Sequence, residues 1–128
     1  MTPIEEILRL AREAEVSLKR ADSRGIPDIE SSGLRIVEVA CEHPEMRVEI
    51  CHTFKHILTK PDEFSWEVLP LVMHSLRWPE MRTWVEDRHG DCITSNNWRG
   101  EPVYRHLLGA FKADWVDRDL YETFKQKV

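Results

Sequence analysis

Apolar positions recur at three- and four-residue steps along most of the chain, the period of a helix with one buried face. Ile4, Ile7, Leu8, Ala11, Ala14 and Leu18 form the first such stripe. Thr2 suits the N-cap of this helix, Pro3 its first position, and Glu5 would complete a capping box with Thr2. Gly25 and Pro27 then read as a stop, and residues 22–33 as a linker or surface loop. A second helix over about 32–42 would bury Leu34, Val37, Ala40 and Cys41. Pro44 opens a third, with Ile50, Phe54, Ile57 and Leu58 inward, and Lys60-Pro61-Asp62 ends it. A fourth covers about 63–77; its Pro70 either lies in the first turns or kinks the helix. Pro79 opens a fifth, to about residue 89. The polar stretch 90–101 reads as the one long loop. A sixth helix is expected over 102–112, with Val103, Leu107, Leu108 and Phe111 inward. A seventh is expected over 114–125, with Val116, Leu120 and Phe124 inward. Ser95-Asn96-Asn97 is turn-like, but no alternating strands flank it, so no hairpin is expected.

The tetrapeptide Pro-Glu-Met-Arg occurs twice, at 44–47 and 79–82, an offset of 35 residues. At that offset Leu34 matches Leu69, Ile36 matches Leu71 and Val37 matches Val72. A third step reaches Tyr104, Leu107 and Ala110, then Asp114; it keeps apolar positions and loses the tetrapeptide. A period of this length marks stacked helical pairs. The segment His43-Pro44-Glu45-Met46-Arg47-Val48-Glu49-Ile50 resembles the inter-helix turn of HEAT repeats. Ser65-Trp66-Glu67-Val68-Leu69-Pro70-Leu71-Val72 resembles a HEAT first helix, proline included. The resemblance covers about 32–126 and weakens in its third unit. It departs from the family at His43 and Trp78, where an aspartate is usual, and at Phe54 and Trp84, where smaller residues are usual. It implies an all-α array of antiparallel helical pairs over 32–60, 63–90 and 102–127, with a capping helix over 1–21. It also implies a scaffold or protein-binding surface rather than a chemistry.

A length of 128 residues suits one domain with a real core. No apolar run is long enough to span a membrane, and the acidic N-terminus lacks the pattern of a secretory signal. Three cysteines make no disulfide framework and fit a reducing, cytoplasmic setting. A net charge of −5 disfavours nucleic acid and permits attraction to a basic protein.

Several groups invite chemistry. Glu49 with His52 and Glu86 with His89 are Glu-x-x-His pairs, the spacing used by di-metal helical bundles. His52 and His56 are spaced to hold one edge of a zinc site, with Cys41, His43 and Cys51 near in sequence. Cys92 lies beside His89 and Asp91, an arrangement that suggests a nucleophile but carries no local signature. Arg77, Arg82, Arg88, Arg99 and Arg105 are the cations that would serve a nucleic-acid reading. No phosphate loop, dinucleotide fingerprint or nucleophile elbow is present. Trp98, with Asn97 and Arg99, sits in a polar stretch with little to bury it, and Trp and Arg are enriched in binding hot spots. Glu86, Asp87, Asp119 and Glu122, with Trp84 nearby, would form an acidic strip along the second helices. The expectation is therefore a non-catalytic binder of one basic protein partner, of the immunity or antitoxin kind. No cofactor, metal, membrane or nucleic acid is expected. A metal-binding protein or enzyme built on the two Glu-x-x-His pairs, and a HEAT-like nucleic-acid binder, are the alternatives.

Overall fold

A computed structural model of the protein describes residues 1–20 and 25–124. Residues 21–24 of the expected linker and 125–127 at the end of the expected last helical pair lie outside the described residues. Six α-helices and four short 3-10 turns make up the described chain, with no strand among the described residues. No helix among them is long and apolar enough to cross a membrane. The chain forms two compact units, 1–72 and 73–128.

In the first unit α1 spans Pro3–Lys19 and starts as its sequence predicts. The Thr2 hydroxyl accepts from the Glu5 amide at 3.1 Å, and Pro3 occupies the first turn, where no amide donor is needed. Ile7, Leu10, Ala11 and Ala14 form its buried face. α2 spans Ile26–Glu42, six residues longer at its start than the expected 32–42. Pro27 is not part of a stop; it lies in the first turn of α2, after Gly25 has turned the chain at φ 71°. Gly33, taken as a loop residue, lies inside this helix. A Cβ there would sit 2.6 Å from Leu71 Cδ2, so the glycine admits a close neighbour. The buried face of α2 is Ile29, Gly33, Ile36, Val39 and Ala40. Cys41 is exposed rather than inward.

Pro44–Met46 forms a 3-10 turn, and α3 follows over Arg47–Thr59 with Ile50, Cys51, Thr53, Phe54 and Ile57 buried. The Thr53 hydroxyl is satisfied by the Glu49 carbonyl at 2.9 Å. α1 packs most extensively on α2 and then on α3. Ile7, Ala11 and Ala14 are fully buried, so α1 contributes to the core of this unit. Arg35 joins α1 to α2. Its guanidinium contacts Glu38 and Glu6 at 2.9 Å each and Glu42 at 3.6 Å, and the Glu38 and Glu6 bonds raise its pKa. A 3-10 turn at Trp66–Val68 leads into α4, Leu69–Leu76, with Pro70 in its first turn. Residues 68–74 are buried without interruption, so the first six residues of this short helix are buried on every side, with Ser75 exposed at its end.

In the second unit α5 spans Pro79–Thr94 and α6 spans Gly100–Ala110, and these two pack most extensively on each other. Met81, Val85 and Cys92 continue one buried stripe. That stripe carries α5 five residues past the expected end and cuts the long loop to 95–99. The expected seventh helix does not form over the described residues 114–124. Residues 118–120 and 122–124 form only 3-10 turns. Val116 is 89% exposed and Leu120 55% exposed, not inward, while Phe111, Trp115 and Tyr121 are buried. The aromatic rings explain the difference. Trp115 stacks on Tyr121 at 5.5 Å, Tyr121 meets Phe124 at 6.1 Å, and His74 contacts Trp115 and Phe124 at 5.2 and 4.9 Å. Asp114, Asp117 and Asp119 add weak helix propensity, so the ring contacts decide the backbone.

Candidate functional site

The turn between α5 and α6 is short and held from both sides. Asn96 adopts the left-handed region at φ 57°, which asparagine tolerates better than most residues. Its amide donates to the Ile93 carbonyl at 3.3 Å, and the Asn97 amide donates to the Cys92 carbonyl at 2.8 Å. Those two bonds are the paired closure of a helix C-terminus known as the Schellman motif. Asn97 then begins α6. Its Oδ1 accepts from the Gly100 amide at 3.1 Å, and its carbonyl accepts from the Glu101 amide at 3.1 Å. The other end of its amide group donates to the Cys92 sulfur at 3.7 Å. A Cβ on Gly100 would lie 2.9 Å from both Asn97 Nδ2 and Cys92 Sγ, so a larger residue there would displace those side chains.

The consequence is at the tip. Trp98 is 69% exposed, Arg99 is exposed, and Ile93 beside the turn is 53% exposed. Trp98 therefore does not fold back over the helix junction. A large rigid ring is presented to solvent on a backbone that has little freedom, so little entropy remains to be lost on contact. Asn97, expected with Trp98 as a contact residue, is committed to capping.

Below the turn, His89 Nε2 and Glu101 Oε2 lie 2.6 Å apart and join α5 to α6, with Arg105 3.5 Å from the same carboxylate. Trp84 is half-buried and meets Tyr104 edge-on at 6.1 Å. The Arg88 guanidinium lies 6.0 Å from the Trp84 ring and 5.8 Å from Tyr104, and a hydrogen bond to Tyr104 raises its pKa. Trp84 thus belongs to the seam between α5 and α6.

The expected acidic strip does not form as drawn. Glu86 is paired with Arg82 at 2.9 Å. Asp87 is exposed, but adjacent residues on a helix do not share a face. Asp119 and Glu122 are exposed on 3-10 turns, not along a helix. The Glu-x-x-His pairs are also divided. Glu86 turns to Arg82 while His89 turns to Glu101, and Glu49 and His52 are both exposed on α3. His43 is taken by Glu45 at 3.2 Å, and His56 meets the Phe64 ring at 5.8 Å. No group of three or more His, Cys, Asp or Glu among the described residues is placed to hold a metal ion. Cys92 is buried under the turn rather than offered as a nucleophile. The five scattered arginines are all exposed, and Arg82, Arg88 and Arg105 also contact Glu86, Tyr104 and Glu101.

A feature the sequence reading missed is a shallow groove along α1, lined by Arg9, Arg12, Glu13, Val16, Ser17 and Arg20. Arg9 pairs with Glu13 and Arg12 with Glu63, each at 2.7 Å, and Arg12 also lies 5.1 Å from the Phe64 ring. The i, i+4 spacing of Arg9 and Glu13 is visible in the sequence; the Glu63 partner is not. Compared with known proteins, the chain matches no family model, no curated protein and no solved structure.

Proposed function

We propose that the protein is a non-catalytic protein-binding module that engages one partner through the α5–α6 turn. The observation that carries the reading is Trp98, 69% exposed on a turn braced by the Asn96 and Asn97 hydrogen bonds. Tryptophan supplies large contact area at low conformational cost, which is why it dominates binding hot spots. Arg99 and Ile93 extend the surface. The basic partner of the immunity or antitoxin kind is retained with a change of place. Residues 1–72 carry 14 Asp and Glu against nine Lys and Arg, whereas residues 73–128 carry nine of each. Long-range attraction of a cation-rich partner thus belongs to the first unit, and the apolar anchor to the second. A HEAT-like origin of the two central units is part of the proposal, supported by both Pro-Glu-Met-Arg segments standing at helix starts.

The test is quantitative capture of partner from native lysate by the tagged full chain, compared with the Trp98→Ala variant at low and high salt. Loss of the ring is expected to weaken binding by about 2 kcal/mol, roughly thirtyfold, with unchanged thermal stability. Salt is expected to slow association more than it speeds dissociation. Equal capture by the two proteins would remove Trp98 from any binding site and with it the reading.

A further inference from the structure

His74 is a titratable side chain buried inside the second unit. It is 4% exposed. Its Nδ1–H donates to the Ala110 carbonyl at 2.7 Å, at the last residue of α6, where helix carbonyls lack partners within the helix. Its ring faces Trp115 at 5.2 Å and Phe124 at 4.9 Å. Through one imidazole, residues 73–76, the end of α6 and the irregular chain to Phe124 are held together. That last stretch has no α-helix of its own, so these contacts rather than helical hydrogen bonds keep it in place.

We propose that His74 is an acid-sensitive latch: its neutral imidazole closes residues 111–124 against residues 73–76 and α6, and its protonation releases them. The inference is independent of the binding function. The charged groups around it favour release. Arg77 at the end of α4 and Arg118 in the C-terminal stretch both oppose a positive ring, and burial opposes it most of all. The Ala110 and Lys112 carbonyls favour the proton but are outweighed, so the pKa lies below the ordinary 6.5. One pair acts the other way. His106 Nε2 lies 3.5 Å from Asp117, and a charged His106 would hold Asp117, on the same stretch, more firmly.

The sign follows from proton linkage. The released ring binds a proton with the ordinary affinity and the closed ring binds it more weakly. Acid therefore favours the released form, beginning near pH 6.5 and continuing down through the lowered value. The population of the open form is expected to rise by up to about tenfold per pH unit across that window.

Hydrogen exchange of the full chain, resolved by peptide and corrected for the intrinsic pH dependence, tests this. Between pH 7.5 and 5, peptides covering 111–124 are expected to lose protection progressively while those covering α5 keep theirs. In His74→Gln, whose side chain keeps an amide donor and does not titrate, the acid-dependent loss of protection of 111–124 is expected to disappear. Opening of wild type that is flat with pH, or a His74→Gln variant that responds like wild type, would overturn the latch. Should the variant not fold, NMR titration of the wild-type His74 ring decides. A ring that titrates below the ordinary 6.5, and does so as 111–124 opens, supports the latch. A ring that titrates near 6.5 with the segment closed, or low with the segment still closed, refutes it.

Discussion

The two compact units are held by different physics. Residues 1–72 rest on long amphipathic helices over an aliphatic core, with Ile7, Ile36, Ile50 and Ile57 fully buried together with Phe54. Residues 73–128 contain four of the five tryptophans and both tyrosines, and only two long helices. There, directed side-chain contacts do what helix faces do in the first unit. His74 closes the end of α6, Asn97 begins it, and His89 with Glu101 joins it to α5. Charge divides in the same way, since the net acidity lies in residues 1–72. An apolar core depends on the area it buries and on close packing. A core of directed contacts depends on a few groups, so the loss of one of them is felt by the elements it joins.

That contrast can be broken in several places. The largest effect is expected in the first unit. Phe54→Ala leaves a cavity at a fully buried position and is expected to cost about 4 kcal/mol in urea unfolding. A cost below about 1 kcal/mol would show that α3 is not part of a packed core. Next is Gly33→Val. A larger side chain meets Leu71 where even a Cβ would be 2.6 Å away, and overpacking of this kind costs about 2 kcal/mol. A neutral outcome would mean that α2 and α4 separate easily.

In the second unit, Asn97→Ala removes the side-chain bond to the Gly100 amide and is expected to cost about 1 kcal/mol, with fraying confined to the start of α6 by hydrogen exchange. Loss of protection throughout the unit would show that the turn is part of the core. The smallest effect is a gain. Arg77 follows α4 at φ 46°, a left-handed conformation that costs a side chain about 1 kcal/mol, so Arg77→Gly is expected to stabilise by a few tenths to 1 kcal/mol in thermal unfolding. Destabilisation would show that the Arg77 side chain contributes contacts worth more than the strain.

How far the chain could be read in advance varied with how local each signal was. The start of α1 was readable because Thr2 and Pro3 act within one turn, while Leu10 joins its buried face where Ile4, Leu8 and Leu18 were expected. The start of α2 was misplaced because Gly25-Ile26-Pro27 reads equally as a stop and as an opening. Gly33 reads as flexibility until Leu71, distant in sequence, is found beside it. The 116, 120 and 124 spacing is helical on paper, yet Trp115 and Tyr121 take the buried places. At the candidate site Ser95-Asn96-Asn97 was legible as a turn. Its double role as the end of α5 and the start of α6 was not, because both depend on which carbonyls lie within reach.

Alone, the sequence determined the helical class, most helix starts and the position of the one tryptophan lacking apolar neighbours. These rest on caps, proline placement and a short apolar period, all of which act within a few residues. Tertiary structure alone decided that α1 is a core helix, that Glu86 turns to Arg82 while His89 turns to Glu101, that Trp98 stays in solvent, and that the C-terminal stretch closes on His74 instead of forming a helix. Each of these is a competition between a local preference and contacts with distant residues. Buried rings and paired charges outweigh the few tenths of a kcal/mol by which neighbouring residues favour a helix.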